Sequence, residues 1–160
     1  MLTDYALAAL SAVFAVRLRL RAGSFSAGSV GPWCLALAVI ALAAGAGGTA
    51  HGFRLYLGEA AHGRVWQLTV ALIGLSVVLA LAAAIQSVLR PLVAPGDWRK
   101  AGHRWLKRGL YVTLAGLAIQ QSGWDLHTHF NHNDLYHVVQ MAGLYWLYRG
   151  ARLLNDLGEP

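Results

Sequence analysis

Six of the seven histidines in this chain of 160 residues are His51, His62, His127, His129, His132 and His137, with Glu59, Asp125 and Asp134 among them. Imidazole is the commonest protein ligand for metals, and carboxylates complete zinc, iron and manganese sites. Most of these groups fall in one stretch, GWDLHTHFNHNDLYHVVQ, from Gly123 to Gln140. Asp125, His127 and His129 alternate, so an extended backbone would project them to one side, as chelation requires. Asn131, Asn133 or Asp134 can cap a following helix, since their short side-chain oxygens accept from free amides at a helix start. A helix opening near Asn133 would carry Asn133, His137, Gln140 and Leu144 on one face. His132 is off register with His137 on one straight helix and would join a site from the loop. Gln120 and Gln121, ending the preceding apolar run, would lie at the same level and offer contacts around a metal or substrate. Two other readings are open to the same residues: a haem or electron-transfer protein with His51 and His137 as axial ligands from facing helices, and a metal-binding or structural membrane protein without catalysis.

The elements that must position these groups are apolar. The chain is 57% apolar and 12% charged, with mean hydropathy +0.48, whereas a soluble domain carries about a quarter charged residues. This excludes an ordinary cytosolic enzyme and a disordered tail, and the single Cys34 excludes a disulfide framework. The composition predicts one all-α domain over residues 1–160, an integral membrane bundle of about five transmembrane helices at about 20 residues per span. The spans fall at Leu2 to Leu20, Ser29 to Ala50, Val65 to Leu89, Trp105 to Gln121 and Asp134 to Tyr148, with Gly/Ser-rich and Pro-containing connectors at Arg21 to Gly31 and Pro91 to Gly96. No internal repeat is evident. Gly45, Gly47 and Gly48 near the end of span two remove bulk so that another helix can approach.

Arg17, Arg19 and Arg21 follow span one; Arg90, Arg99, Lys100, Arg104, Lys107 and Arg108 join spans three and four; Arg149 and Arg152 follow span five. By the positive-inside rule these alternate connections are cytoplasmic, which puts the N-terminus out, the C-terminus in, and every histidine except His103 at the outer face. The net charge of +6 is then an orientation signal, and the partner is membrane lipid, with no nucleic acid. Short loops and the absence of a targeting signal point to a bacterial inner membrane.

GGTAHGF at the end of span two and HNDLYHVVQMAG entering the last span resemble the metal-binding helices of the membrane hydrolases that include alkaline ceramidases, adiponectin-type receptors and haemolysin III. They also resemble a group of small, uncharacterised bacterial membrane proteins. The superfamily resemblance implies a zinc-bound water attacking a lipid amide or ester at the outer face. It implies His51 as the first zinc ligand and His137 as one of the last pair; His132, displaced by one residue from the family pattern, is taken as the third from its place beside the last span, and His127 and His129 are further candidates from the loop. Asp125, Asp134 or Glu59 would be the general base, and Asn133, Gln140 and Gln120 would support the ligands. The pattern departs from the superfamily in three places: five spans stand where seven are usual, Asn133 occupies the first position of the expected HxxxH, and Gly47 occupies that of the serine four residues before the first histidine.

Overall fold

The computed structural model describes residues 2–22, 27–89, 96–127 and 130–155. They form five helices in chain order: α1 (Leu2–Arg21), α2 (Ala27–Gly52), α3 (Glu59–Leu89), α4 (Gly96–Ser122) and α5 (His132–Asn155). Among the described residues no strand occurs, and His127 and Phe130 make an isolated bridge.

All five apolar runs are helical, but the helices extend past the apolar limits. α3 opens at Glu59, so Glu59 and His62 belong to its first turn and not to a loop. Gly58 precedes it and accepts the N–H of His62 at 2.9 Å, and a carboxylate suits the positive end of a helix. α4 opens at Gly96 instead of Trp105, and α5 runs on to Asn155. The added turns are rich in Arg, Lys, Leu and Ala, which are good helix formers whether or not they are apolar. α2 opens at Ala27, inside the expected Gly/Ser-rich connector; residues 23–26 and 90–95 lie outside the described residues.

The packing order across the molecule is α3, α2, α1, α5, α4, with α5 also reaching α2 and α3, while among the described residues α4 touches α5 alone. Between α1, α2 and α5 lies the core, where Leu7, Phe14, Leu18, Trp33, Leu37, Leu144 and Tyr148 are buried together. Phe14 stacks on Tyr148 with ring centres 4.6 Å apart, and Trp33 Nε1 donates to Ser87 Oγ at 2.9 Å, tying the start of α2 to the end of α3. A Cβ on Gly48 would stand 2.9 Å from the Cβ of Asp4, so the small residues late in α2 admit α1.

The α4–α5 seam has a register that inspection of apolar runs misses. Gly102, Gly109 and Gly116 recur every seventh residue on α4, and Gly143 and Gly150 do so on α5. Each receives a side chain of the other helix: Leu154 faces Gly102, Leu147 faces Gly109, Val139 faces Gly116, Thr113 faces Gly143 and Leu106 faces Gly150. A seven-residue period keeps one face toward an antiparallel neighbour, and glycine lets the backbones close.

By length and composition two helices can cross a membrane, at Val30–Gly52 and Glu59–Ser87. α1, α4 and α5 carry charged residues along more of their length.

Candidate functional site

The helices alternate in direction, so the starts of α1, α3 and α5 meet the ends of α2 and α4. At that end Asp4, on the first turn of α1, is 2% exposed, and His137, on the second turn of α5, is 7% exposed. Asp4 is buried because Gly47 and Gly48 offer no side chain where its own must lie; its Oδ1 would be 3.7 Å from a Cβ on Gly47. Thr69, 3% exposed on α3, lines the same spot.

His137 is held from two sides. Its Nε2 faces Asp4 Oδ1 at 3.6 Å, and its Nδ1 meets Thr3 Oγ1 at 3.3 Å. The Thr3 hydroxyl donates to Asp134 Oδ1 at 2.6 Å. A hydroxyl has one hydrogen, so with it committed to Asp134 the contact with His137 has Nδ1–H donating and Thr3 Oγ1 accepting. Asp134, Thr3, His137 and Asp4 thus form one continuous polar line from the α5 start into the interior. Beside it, Tyr5 OH and Thr49 Oγ1 lie 3.1 Å apart, and Thr49 also donates to the carbonyl of Gly45 at 2.9 Å.

The start of α5 explains why His137 lies where it does. Asn131 caps the helix: its Oδ1 accepts from the N–H groups of Asn133 at 3.0 Å and Asp134 at 3.1 Å. Asp125 adds a second cap, its Oδ1 accepting the His132 N–H at 2.7 Å and lying 2.8 Å from His132 Nδ1. Those contacts from His132, backbone first and then ring, hold the Asp125 carboxyl below the usual carboxylate range.

The expected histidine cluster is therefore divided. His132 is committed to Asp125. His51, exposed at the end of α2, sets its ring edge-on to Trp66 with centres 5.5 Å apart. His127 is exposed, with its backbone bridged to Phe130; His129 lies outside the described residues. Glu59 is exposed at the first turn of α3. Gln120 Nε2 donates to Asn133 Oδ1 at 3.1 Å across α4 and α5, and Gln140 Oε1 lies against Gly116. Of the named groups, His137 and Asp134 share a site, and Asn133 pairs with Gln120. The residues that complete the site, Thr3 and Asp4, were read from the sequence only as parts of span one. An aspartate followed by an apolar helical run, YALAAL, was the available signal, because an ionisable group in such a run is placed there for a partner.

A catalytic zinc needs three protein ligands and an open position. Asp4 and His137 are spaced as two such ligands could be, but among the described residues no three His, Cys, Asp or Glu side chains gather to hold a metal ion. The donor set drawn from His51, His132 and His137 does not fit that requirement as arranged.

The fold and site define a class: an all-helical, five-helix protein with a buried carboxylate–imidazole pair at one end. The chain belongs to DUF6962, a family of unknown function, whose model matches residues 1–100 and 97–156. No curated protein and no solved structure matches it.

Proposed function

We propose that this chain is an integral membrane protein, N-terminus out and C-terminus in, that binds and releases a proton at the Asp4–His137 pair. Embedding is supported by α3. It carries no charged residue from Val65 to Leu89, and only 17% of its most apolar stretch is buried. Leu68, Val70, Ile73, Val77, Val78 and Leu81 face outward. A water-soluble core helix hides such residues; an apolar face of this extent belongs against lipid.

The observation that carries the proton reading is Nε2 of His137 facing Asp4 Oδ1 while Nδ1–H is committed to Thr3. An ionised carboxylate facing an imidazole lone pair is repulsive, and a proton between them turns the contact attractive. The pair is thereby suited to take up one proton between Nε2 and Oδ1. Thr3 and Asp134 fix Nδ1–H, which leaves Nε2 as the atom that takes up and gives up the proton, and ionisable groups at membrane depth commonly mark proton relays.

The test is nitrogen-15 NMR of histidine-labelled protein in bilayers, with His137 assigned by loss of its signals in His137→Gln. Between about pH 4 and about pH 9, which brackets ordinary histidine titration, Nδ1 should stay protonated while Nε2 releases its proton in a step displaced by Asp4→Asn. A His137 titration indifferent to Asp4→Asn would sink the paired site. Release of the protein from membranes by alkaline carbonate would sink the embedding.

A further inference from the structure

At the opposite end of the α4–α5 seam, Trp105 gathers two guanidinium groups. Arg149 Cζ lies 4.9 Å from the centre of its indole and Arg108 Cζ lies 5.1 Å from it. Arg149 also sits 5.9 Å over the ring of Tyr145, and its Nη1 donates to Tyr145 OH at 3.1 Å. The glycine register brings these residues to one level. Leu106 packs on Gly150 and Leu147 on Gly109, clamping the α4 turn that carries Trp105 and Arg108 against the α5 turn that carries Tyr145 and Arg149. Among the residues whose side chains are described, no carboxylate pairs with Arg108 or Arg149; Asp4, Glu59, Asp125 and Asp134 belong to the other end of the helices.

We propose that Arg108, Arg149, Trp105 and Tyr145 form a binding site for the phosphodiester headgroup of an anionic membrane lipid at the cytoplasmic face. Two like charges held beside one ring repel until an anion lies between them, and guanidinium matches phosphate oxygens with paired N–H donors. The rings hold the guanidiniums from below through cation–π attraction. Tyr145 accepts from Arg149, which leaves its own O–H to donate to a phosphate oxygen. An aromatic and basic cluster at a helix level near a membrane boundary faces headgroups, so a lipid is the occupant that the position favours. This inference rests on the embedding proposed above and is independent of the proton site.

The test is native mass spectrometry of the full chain in neutral detergent, titrated with phosphatidylglycerol, phosphatidylcholine or inorganic phosphate. Phosphatidylglycerol should bind at least about fivefold more tightly than phosphatidylcholine, whose choline ammonium neutralises the phosphate charge and is repelled by the guanidiniums. Arg108→Gln with Arg149→Gln should weaken it roughly thirtyfold, as expected for two basic contacts. Arg104→Gln with Lys107→Gln removes the same charge from neighbouring exposed positions and should change it by less than about threefold. Arg108→Lys with Arg149→Lys keeps both charges and the fold while still losing most of the preference. Equal weakening by both glutamine pairs, or no preference for phosphatidylglycerol, would overturn the site. Inorganic phosphate binding as tightly as the lipid would overturn the lipid as its occupant. Failure of the embedding shows separately, as failure of the wild type to float with pure phosphatidylcholine vesicles.

Discussion

Oδ1 of Asp4 on α1 stands 3.6 Å from Nε2 of His137 on α5, and both side chains are buried. Through this contact and the neighbouring Thr3–Asp134 hydrogen bond, α1 and α5 are joined by polar groups at one end and by the Phe14–Tyr148 stack further along. The two kinds of join fail differently.

Removing one partner of the buried pair leaves the other facing a non-complementary side chain in a low dielectric. Asp4→Asn and His137→Leu should each cost about 3–5 kcal/mol, whereas Asp4→Leu with His137→Leu should cost far less than their sum. Unfolding of all variants in the same detergent measures this; single variants within about 0.5 kcal/mol of wild type would show that the pair bears no strain when broken.

Thr3 links His137 to Asp134 through its hydroxyl. Thr3→Ser keeps the hydroxyl and should preserve stability. Thr3→Val keeps the shape and should cost about 1.5–3 kcal/mol, the worth of a hydrogen bond to a charged group. Equal stabilities for the two variants would remove Thr3 as the group that fixes Nδ1–H of His137.

The glycine register predicts opposite outcomes for the same substitution. At Gly109 a Cβ would stand 2.7 Å from Leu147 Cγ and 2.8 Å from its backbone nitrogen, so Gly109→Ala forces the helices apart at about 1–3 kcal/mol. Gly74 has nothing within 4 Å, and Gly74→Ala should stabilise α3 by about 0.5–1 kcal/mol through backbone entropy. Because α4 among the described residues packs on α5 alone, limited proteolysis at the α4–α5 connection should accelerate in Gly109→Ala and not in Gly74→Ala.

Asp125 gives a pH dependence outside the bundle. Its carboxyl is held below the ordinary value of 3.8 by the His132 backbone and ring. A depressed carboxylate contributes stability that is present above its unfolded value and is lost as pH falls through its folded value. Thermal midpoints compared at neutral and strongly acid pH should therefore fall further in wild type than in Asp125→Asn. An equal fall in both would mean that the cap does not bear on stability.

The five elements were legible because apolar runs longer than about 15 residues leave little alternative to helix. Their ends were not, since Gly96 to Arg104 and Arg149 to Asn155 are helix-forming without being apolar. In the site, His137, Asp134 and the Gln120–Asn133 level were readable from helical spacing on α5 and from the alternation of direction. Asp4 lies inside span one with nothing in the letters to mark its partner, because a single aspartate near a span end looks the same whether it faces water or a distant histidine. Proximity across the chain is what separates the two cases, and periodicity along it contains no such information. Histidine composition likewise overstated a common centre: His132 had a nearer partner in Asp125, seven residues away. The seven-residue glycine spacing was present in the letters, but small residues are neutral in hydropathy and so leave no trace in a search for apolar runs.

The line from Asp4 to Asp134 is closed by residues far apart in the order of synthesis, since Thr3 precedes His137 by 134 positions. While the ribosome is still making α2, α3 and α4, the Asp4 carboxylate already exists and its imidazole does not. It must wait in contact with water or with transient partners until α5 emerges and docks beside α1. Closure of the polar line is thus a late assembly step, with the long loop-closure penalty of non-local contacts. A chain stopped short of α5 would display an unmatched acid inside its first helix, a feature by which quality control could recognise it.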